Sequence, residues 1–187
     1  MKEYWDKAVS YEAYKKEGAA RLSNPRNEDD VQKKGYYELG LHRMARMEKV
    51  YKPSEEDLAT LDSKNFTGKI LIISEVWCGD ASQAIPTLNA FFEGKNEVRI
   101  FHRDEDHSLI DQFLTNGGQS IPKVLILNED FTVKNTWGPR PKHGLELLKK
   151  YKTDPDNYTI DDLHNDLQVY YAKNKGKDTI EEILNLI

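Results

Sequence analysis

The chain has 187 residues, with 27 lysines and arginines against 32 aspartates and glutamates and a formal net charge of −5. A chain of this size buries roughly 70% of its unfolded surface in one core and needs no disulfide or metal staple, while 38% hydrophobic and 10% aromatic residues exclude wholesale disorder. The longest apolar runs, such as Ile70-Leu71-Ile72-Ile73, are about four residues against the ~20 of a membrane span, and the cations form no basic stripe for nucleic acid.

The first residues, Met1-Lys2-Glu3-Tyr4-Trp5-Asp6, contain no apolar signal core. A cytoplasmic protein with neither a membrane nor a nucleic-acid partner is the expectation. Cys78 is the single cysteine. An intramolecular disulfide, and zinc or iron–sulfur ligation by thiolates alone within one chain, are therefore excluded.

In chain order, Asp6–Ala20 reads as a helix broken at Ser23-Asn24-Pro25. Asn27, or Asp29 and Asp30, can cap a second helix to about Val50, with Tyr36, Leu39, Leu41, Met44 and Met47 as a rough apolar stripe. Ser54 with Asp57 has capping-box spacing and opens a short helix to Lys64. From Lys69 the period changes. Lys69–Val76 is a β-branched run suited to a strand buried on both faces. Ser82–Phe92 has helical spacing, Glu97–His102 reads as a strand, and Ser108–Asn116 as a helix stopped by Gly117-Gly118. Lys123–Leu127 and Phe131–Thr136 are strands joined by Asn128-Glu129-Asp130. Leu145–Tyr151 starts a helix, and Thr159 with Asp162, and Thr179 with Glu182, have the spacing of two further capping boxes.

The segment that carries chemistry is Glu75-Val76-Trp77-Cys78-Gly79-Asp80-Ala81. A cysteine between a buried strand and a helix meets the free N–H groups and positive dipole end of that helix, which favour a thiolate. The spacing therefore predicts an exposed thiol with a perturbed pKa. Gly79 permits the turn and Trp77 can shelter the sulfur.

Trp77-Cys78-Gly79-Asp80-Ala81 resembles the thioredoxin motif Trp-Cys-Gly-Pro-Cys. Pro86 falls at the superfamily's helix-kinking proline, Ser120-Ile121-Pro122 before a strand is similar to its cis-proline loop, and Trp137-Gly138 matches its late glycine. The closest likeness is to bacterial thioredoxin-like proteins whose motif reads Cys-Gly-Asp-Ala. The resemblance implies an α/β fold of three layers, a central mixed sheet flanked by helices. Residues 54–150 are expected to form this thioredoxin-like core, 1–53 a helical N-terminal extension, and 151–187 a helical C-terminal extension packed on the same domain. It further implies Cys78 as nucleophile, a pocket of Trp77, Gly79, Asp80 and Ala81, and a substrate-facing edge of Ile121, Pro122, Trp137 and Gly138, with no cofactor and no metal.

The departures narrow the chemistry. Ala81 stands where the family has its resolving cysteine, Asp80 replaces the motif proline, and Ile72 occupies the place of the buried strand aspartate. A carboxylate beside the sulfur disfavours the thiolate. What remains is exchange through a mixed disulfide with protein or peptide thiols and disulfides, completed by an external thiol such as a low-molecular-weight one. The alternative is a redox-inactive module that binds a peptide or protein at the cis-proline groove. A third reading, the cluster-holding monothiol glutaredoxins, fits less well because Trp77 and Pro86 follow the thioredoxin pattern. Other clusters read as structural. His102–His107 is an acidic strand-to-helix link, Asp154–Asp161 lacks the mid-loop glycine of a calcium loop, and His42-Arg43 with Arg46, like Arg140 and His143, reads as solvated.

Overall fold

The computed structural model describes residues 1–187. Five helices, α1 (Lys2–Lys7), α2 (Tyr11–Ser23), α3 (Glu28–Gln32), α4 (Lys34–Val50) and α5 (Glu55–Ser63), precede strand β1 (Lys69–Ser74). Helix α6 (Ala81–Phe92), β2 (Val98–His102), β3 (Lys123–Leu127), β4 (Val133–Trp137), α7 (Lys142–Thr153), α8 (Ile160–Asn174) and α9 (Lys177–Leu184) follow. The strands form one sheet in the order β2-β1-β3-β4. β1 runs parallel to β2 and antiparallel to β3, and β4 is antiparallel to β3. This is the α/β mixed sheet flanked by helices that the alternation of elements implies.

Ile70 to Ile73 are all fully buried, because β1 lies inside the sheet with helices against it. The main core gathers β1, β3 and α6 with Tyr14, Tyr37, Met44 and Met47 from the N-terminal helices and Ile180, Ile183 and Leu184 from α9. A second, separate cluster of Tyr158, Leu163, Leu167 and Tyr171 belongs to α8 and the loop before it, with Leu147, Leu148 and Tyr151 of α7 against it. The α7–α8 hairpin thus has a small core of its own.

Several elements depart from the sequence reading for local reasons. Ser108–Asn116 is not a helix. It holds one 3-10 turn, Ile110–Gln112, followed by a tight bend in which Asn116 and Gly117 both take positive φ and Thr115 pairs with Gly118. Asn-Gly is the preferred sequence for that two-residue turn, and here it prevails over helix propagation. The expected Asp6–Ala20 helix is two helices, because Val9 bridges to Ile100 at the open edge of β2 and Ser10 then caps α2. The second helix is likewise divided at Lys33, with Asn27 capping the short α3.

The buried face of α4 is Tyr37, Gly40, Met44 and Met47, while Tyr36 and Leu39 face solvent. The helix is rotated so that the Tyr37 hydroxyl bonds Asp30 Oδ1 and receives Arg21. Ser54 and Thr159 cap their helices, Thr159 in a full capping box with Asp162. Thr179 does not cap, because α9 begins at Gly176 in the left-handed region.

Helix α4 lies unusually close to the segment that follows β1. A Cβ on Gly40 would collide with the Val76 carbonyl oxygen. Alanine is otherwise favoured over glycine in a helix by about 1 kcal/mol, so the sign of the effect isolates the contact. Gly40→Ala is expected to lower stability by about 1–3 kcal/mol in urea unfolding, the range for overpacking. A gain in stability would contradict this close approach.

Candidate functional site

The site is built where β1 ends. The chain leaves the sheet at Glu75, turns through Val76–Asp80, and enters α6 at Ala81, with the Cys78 amide donating to the Glu75 carbonyl at 3.0 Å. Glu75 is fully buried and anchors this turn to the end of β2. Its Oε1 accepts the Asp104 amide at 2.8 Å, while Oε2 lies 3.3 Å from His102 Nδ1 and 3.6 Å from an Arg21 nitrogen. Asp104 in turn accepts the Trp77 indole N–H at 3.0 Å. Lys33 Nζ stands 4.3 Å from the Trp77 ring and the Arg103 guanidinium 5.1 Å from it, so two cations bracket the indole.

Cys78 is only 7% exposed. Its Sγ donates to the Ile121 carbonyl at 3.4 Å, and the Ile121–Pro122 peptide bond is cis. The amides of Asp80 and Ala81 lie beside the sulfur and favour its ionised form, as a helix N-terminus should. Burial is the larger effect, and the Asp80 charge adds to it; together they push the thiol up to about 12. The expected exposed thiol is therefore corrected. Cys78 is enclosed, and at neutral pH it rests as the neutral thiol.

Asp80 is not a free carboxylate beside the sulfur. Its Oδ2 accepts Arg140 Nε at 2.7 Å and its Oδ1 accepts the Tyr171 hydroxyl at 2.7 Å. Arg43 of α4 also faces it, and the three groups favour ionisation, yet burial outweighs them and raises the carboxyl above its ordinary range. Arg140 and Arg43 are thus part of the site and not solvated cations. Tyr171 carries no local sequence signal for this role, since it meets Asp80 only when α8 folds back across the chain. His143 does remain exposed, its ring tilted against that of Tyr170 with centroids 4.7 Å apart.

Asp80, Ala81 and Ile121 lie beside the Cys78 sulfur, with Gly79 in the same turn and Pro122 following Ile121, whereas the Trp77 indole turns to Asp104, Lys33 and Arg103. Ala81 is completely buried at the first position of α6. Trp137 belongs to the core instead, its indole N–H bonded to Glu182 of α9 at 2.6 Å. Gly138 has φ +110 and packs its backbone against the Pro122 carbonyl, where a Cβ would collide. Ile72 is buried between Ile100 and Val124 with no carboxyl group. No three histidine, cysteine, aspartate or glutamate side chains are grouped to hold a metal ion, and no helix is long and apolar enough to cross a membrane.

A sequence profile of the family described as thioredoxin matches residues 28–152. The structure of a protein of unknown function from Pseudomonas aeruginosa is similar with a TM-score of 0.63 and 16% identity, over 98% of this chain and 94% of that one. An HIV epitope scaffold is similar with a TM-score of 0.57 and 18% identity, over 95% and 97%. At such identities the likeness is one of fold. No curated protein matches the chain.

The raised carboxyl of Asp80 fixes the sign of a test. A folded-state pKa above the unfolded value of about 4 means that folding holds the proton more tightly, so stability is lost as pH rises through that value. Asp80→Asn removes the charge and keeps an oxygen for Arg140 or Tyr171. At pH 7 the variant is expected to be at least as stable as wild type in urea unfolding, with its Cys78 alkylated faster at any given pH. A clear loss of stability, or unchanged alkylation, would show that Asp80 does not act this way.

Proposed function

The chain belongs to the thioredoxin family, and from that premise we propose that it carries out thiol–disulfide exchange through Cys78 alone, with an external thiol resolving the mixed disulfide. In the first step the Cys78 sulfur, having given its proton to solvent, attacks one sulfur of a disulfide. A new S–S bond forms to Cys78, and the partner's second sulfur leaves as a thiolate with the electron pair of the broken bond. An external thiolate then attacks the partner's sulfur in the mixed disulfide and releases the Cys78 thiolate. The Asp80 and Ala81 amides favour the thiolate as attacking and leaving group alike.

One observation carries this reading: Cys78 Sγ lies between two amides of the α6 N-terminus and the Ile121 carbonyl. At rest the carbonyl holds the S–H. An extended peptide whose N–H takes the Ile121 carbonyl removes that acceptor. The sulfur then keeps only hydrogen-bond donors, which favour its ionised form. The silent resting thiol and an active docked one are consistent on this account. The burial of Cys78 favours a second reading, a redox-inactive module that binds a peptide or protein at the Ile121–Pro122 edge.

Incubation of wild type and Cys78→Ser with a peptide disulfide, followed by intact mass measurement, separates the two. Exchange requires a peptide adduct on wild type, none on Cys78→Ser, and its removal by a monothiol. If peptide binds equally to both proteins and no adduct forms, exchange is ruled out and the binding module stands.

A further inference from the structure

Gly40 lets α4 touch Val76, and one turn further along α4 Arg43 meets the next part of the same segment. Its Nη1 lies 3.1 Å from where a Cβ on Gly79 would stand, directly beside Cys78. Arg43 is half-buried, and burial pulls its pKa down while Asp80 and Tyr171 act on it only through their charges. It makes neither a hydrogen bond nor an ion pair. Arg21, Arg26, Arg99, Arg103 and Arg140 each have a carboxylate partner; Arg46, also half-buried, reaches only the Met47 sulfur and lies away from the thiol turn. Asp80 faces Arg43 without bonding it; its close contacts are with Arg140 and Tyr171.

A guanidinium stays charged under all ordinary conditions, and its fork of N–H donors matches a carboxylate. Keeping one partly dehydrated and unpaired is costly unless something pairs with it. The N-terminus of the 12-residue α6 adds positive potential on the same side. The overall charge of −5 does not attract anions, so any attraction here is local to these groups.

We propose that Arg43 binds a carboxylate of the external thiol, which is therefore a carboxylate-bearing low-molecular-weight thiol, presented to the Cys78 mixed disulfide. This rests on the exchange reading of Cys78. In the resolving step that thiol's sulfur bonds to the partner's sulfur, and Cys78 leaves with the bonding pair as its thiolate. Arg43 takes no part in the bond changes. It positions the incoming thiol and selects it by charge.

Two measurements test this, one independent of reactivity. The first compares the rates at which Cys78 reacts with 5,5′-dithiobis(2-nitrobenzoate), whose halves carry carboxylates, and with uncharged 2,2′-dithiodipyridine. Each rate is divided by that of a free model thiol. Losing a charge-assisted hydrogen bond corresponds to a fall of about tenfold or more, so the anionic-to-neutral ratio is expected to drop by that amount in Arg43→Gln and by less in Arg43→Lys. An unchanged ratio, with both reagents reacting, overturns the role of Arg43 and leaves exchange intact.

The second titrates S-methylglutathione and its diethyl ester into Cys78→Ser and into Cys78→Ser with Arg43→Gln, followed by NMR. Binding of the acid is expected in the first protein and is expected to weaken about tenfold in the second, with the ester weaker in the first and alike in both. Equal binding of the acid by the two proteins, or none by either, overturns the proposal. If Cys78 reacts with neither small disulfide, as the enclosed resting thiol permits, the peptide-adduct experiment decides the exchange reading and this titration decides whether Arg43 holds a carboxylate.

Discussion

Asp80 brings a carboxyl group into a place from which water is largely removed, and the surroundings of the thiol are organised by that burden. Its side chain is 12% exposed and is held by one guanidinium and one phenol, with a second guanidinium nearby. Removing either close partner leaves the buried carboxyl less compensated, which costs more than the lost contact contributes to stability. Arg140 comes from the loop before α7 and Tyr171 from α8. The carboxyl therefore ties the C-terminal helical hairpin to the first residues of α6. That hairpin has its own apolar cluster and adds little to the main core, so the contact at Asp80 is its principal link to the thiol.

The same carboxyl sets the state of Cys78. A helix N-terminus and two amide donors pull the thiol toward ionisation, whereas enclosure and the Asp80 charge push it away, and enclosure is the largest of these. Nearest the sulfur, the Ile121 carbonyl accepts its proton. The site is thus quiet until something changes its hydrogen bonds. On the other flank, the Glu75–His102–Asp104–Trp77 chain of contacts fixes the turn to the sheet. The thiol is held between a rigid flank and one joined to the body mainly through a charged contact.

Much of the fold was legible because its signals are local or periodic. The β-branched run at Ile70–Ile73 and the caps at Ser54 and Thr159 act over short stretches of chain, and the order of Cys78, Pro86, Pro122 and Gly138 is legible through the family resemblance. The Ser108–Asn116 segment was misread because helical spacing and an Asn-Gly turn compete there, and the turn has the stronger preference. Cys78 at the start of α6 could be placed from its context, and Asp80 could be recognised as opposing its ionisation. The surroundings of Asp80 could not, because they are built by Arg43, Arg140 and Tyr171, which lie 35 residues before and 62 and 93 residues after Cys78. A buried arginine and a solvated one look the same in sequence.

The central claim is that Cys78 rests as an enclosed neutral thiol whose reactivity waits on its hydrogen-bond partners. Labelling Cys78 with ¹³C at Cβ and following its NMR shift against pH reads its protonation without a reagent. The expected result is no transition up to pH 9.5, with the shift of a neutral thiol throughout. A titration at or below the ordinary thiol value of about 8.5 would contradict the account, because the helix terminus would then outweigh both burial and Asp80.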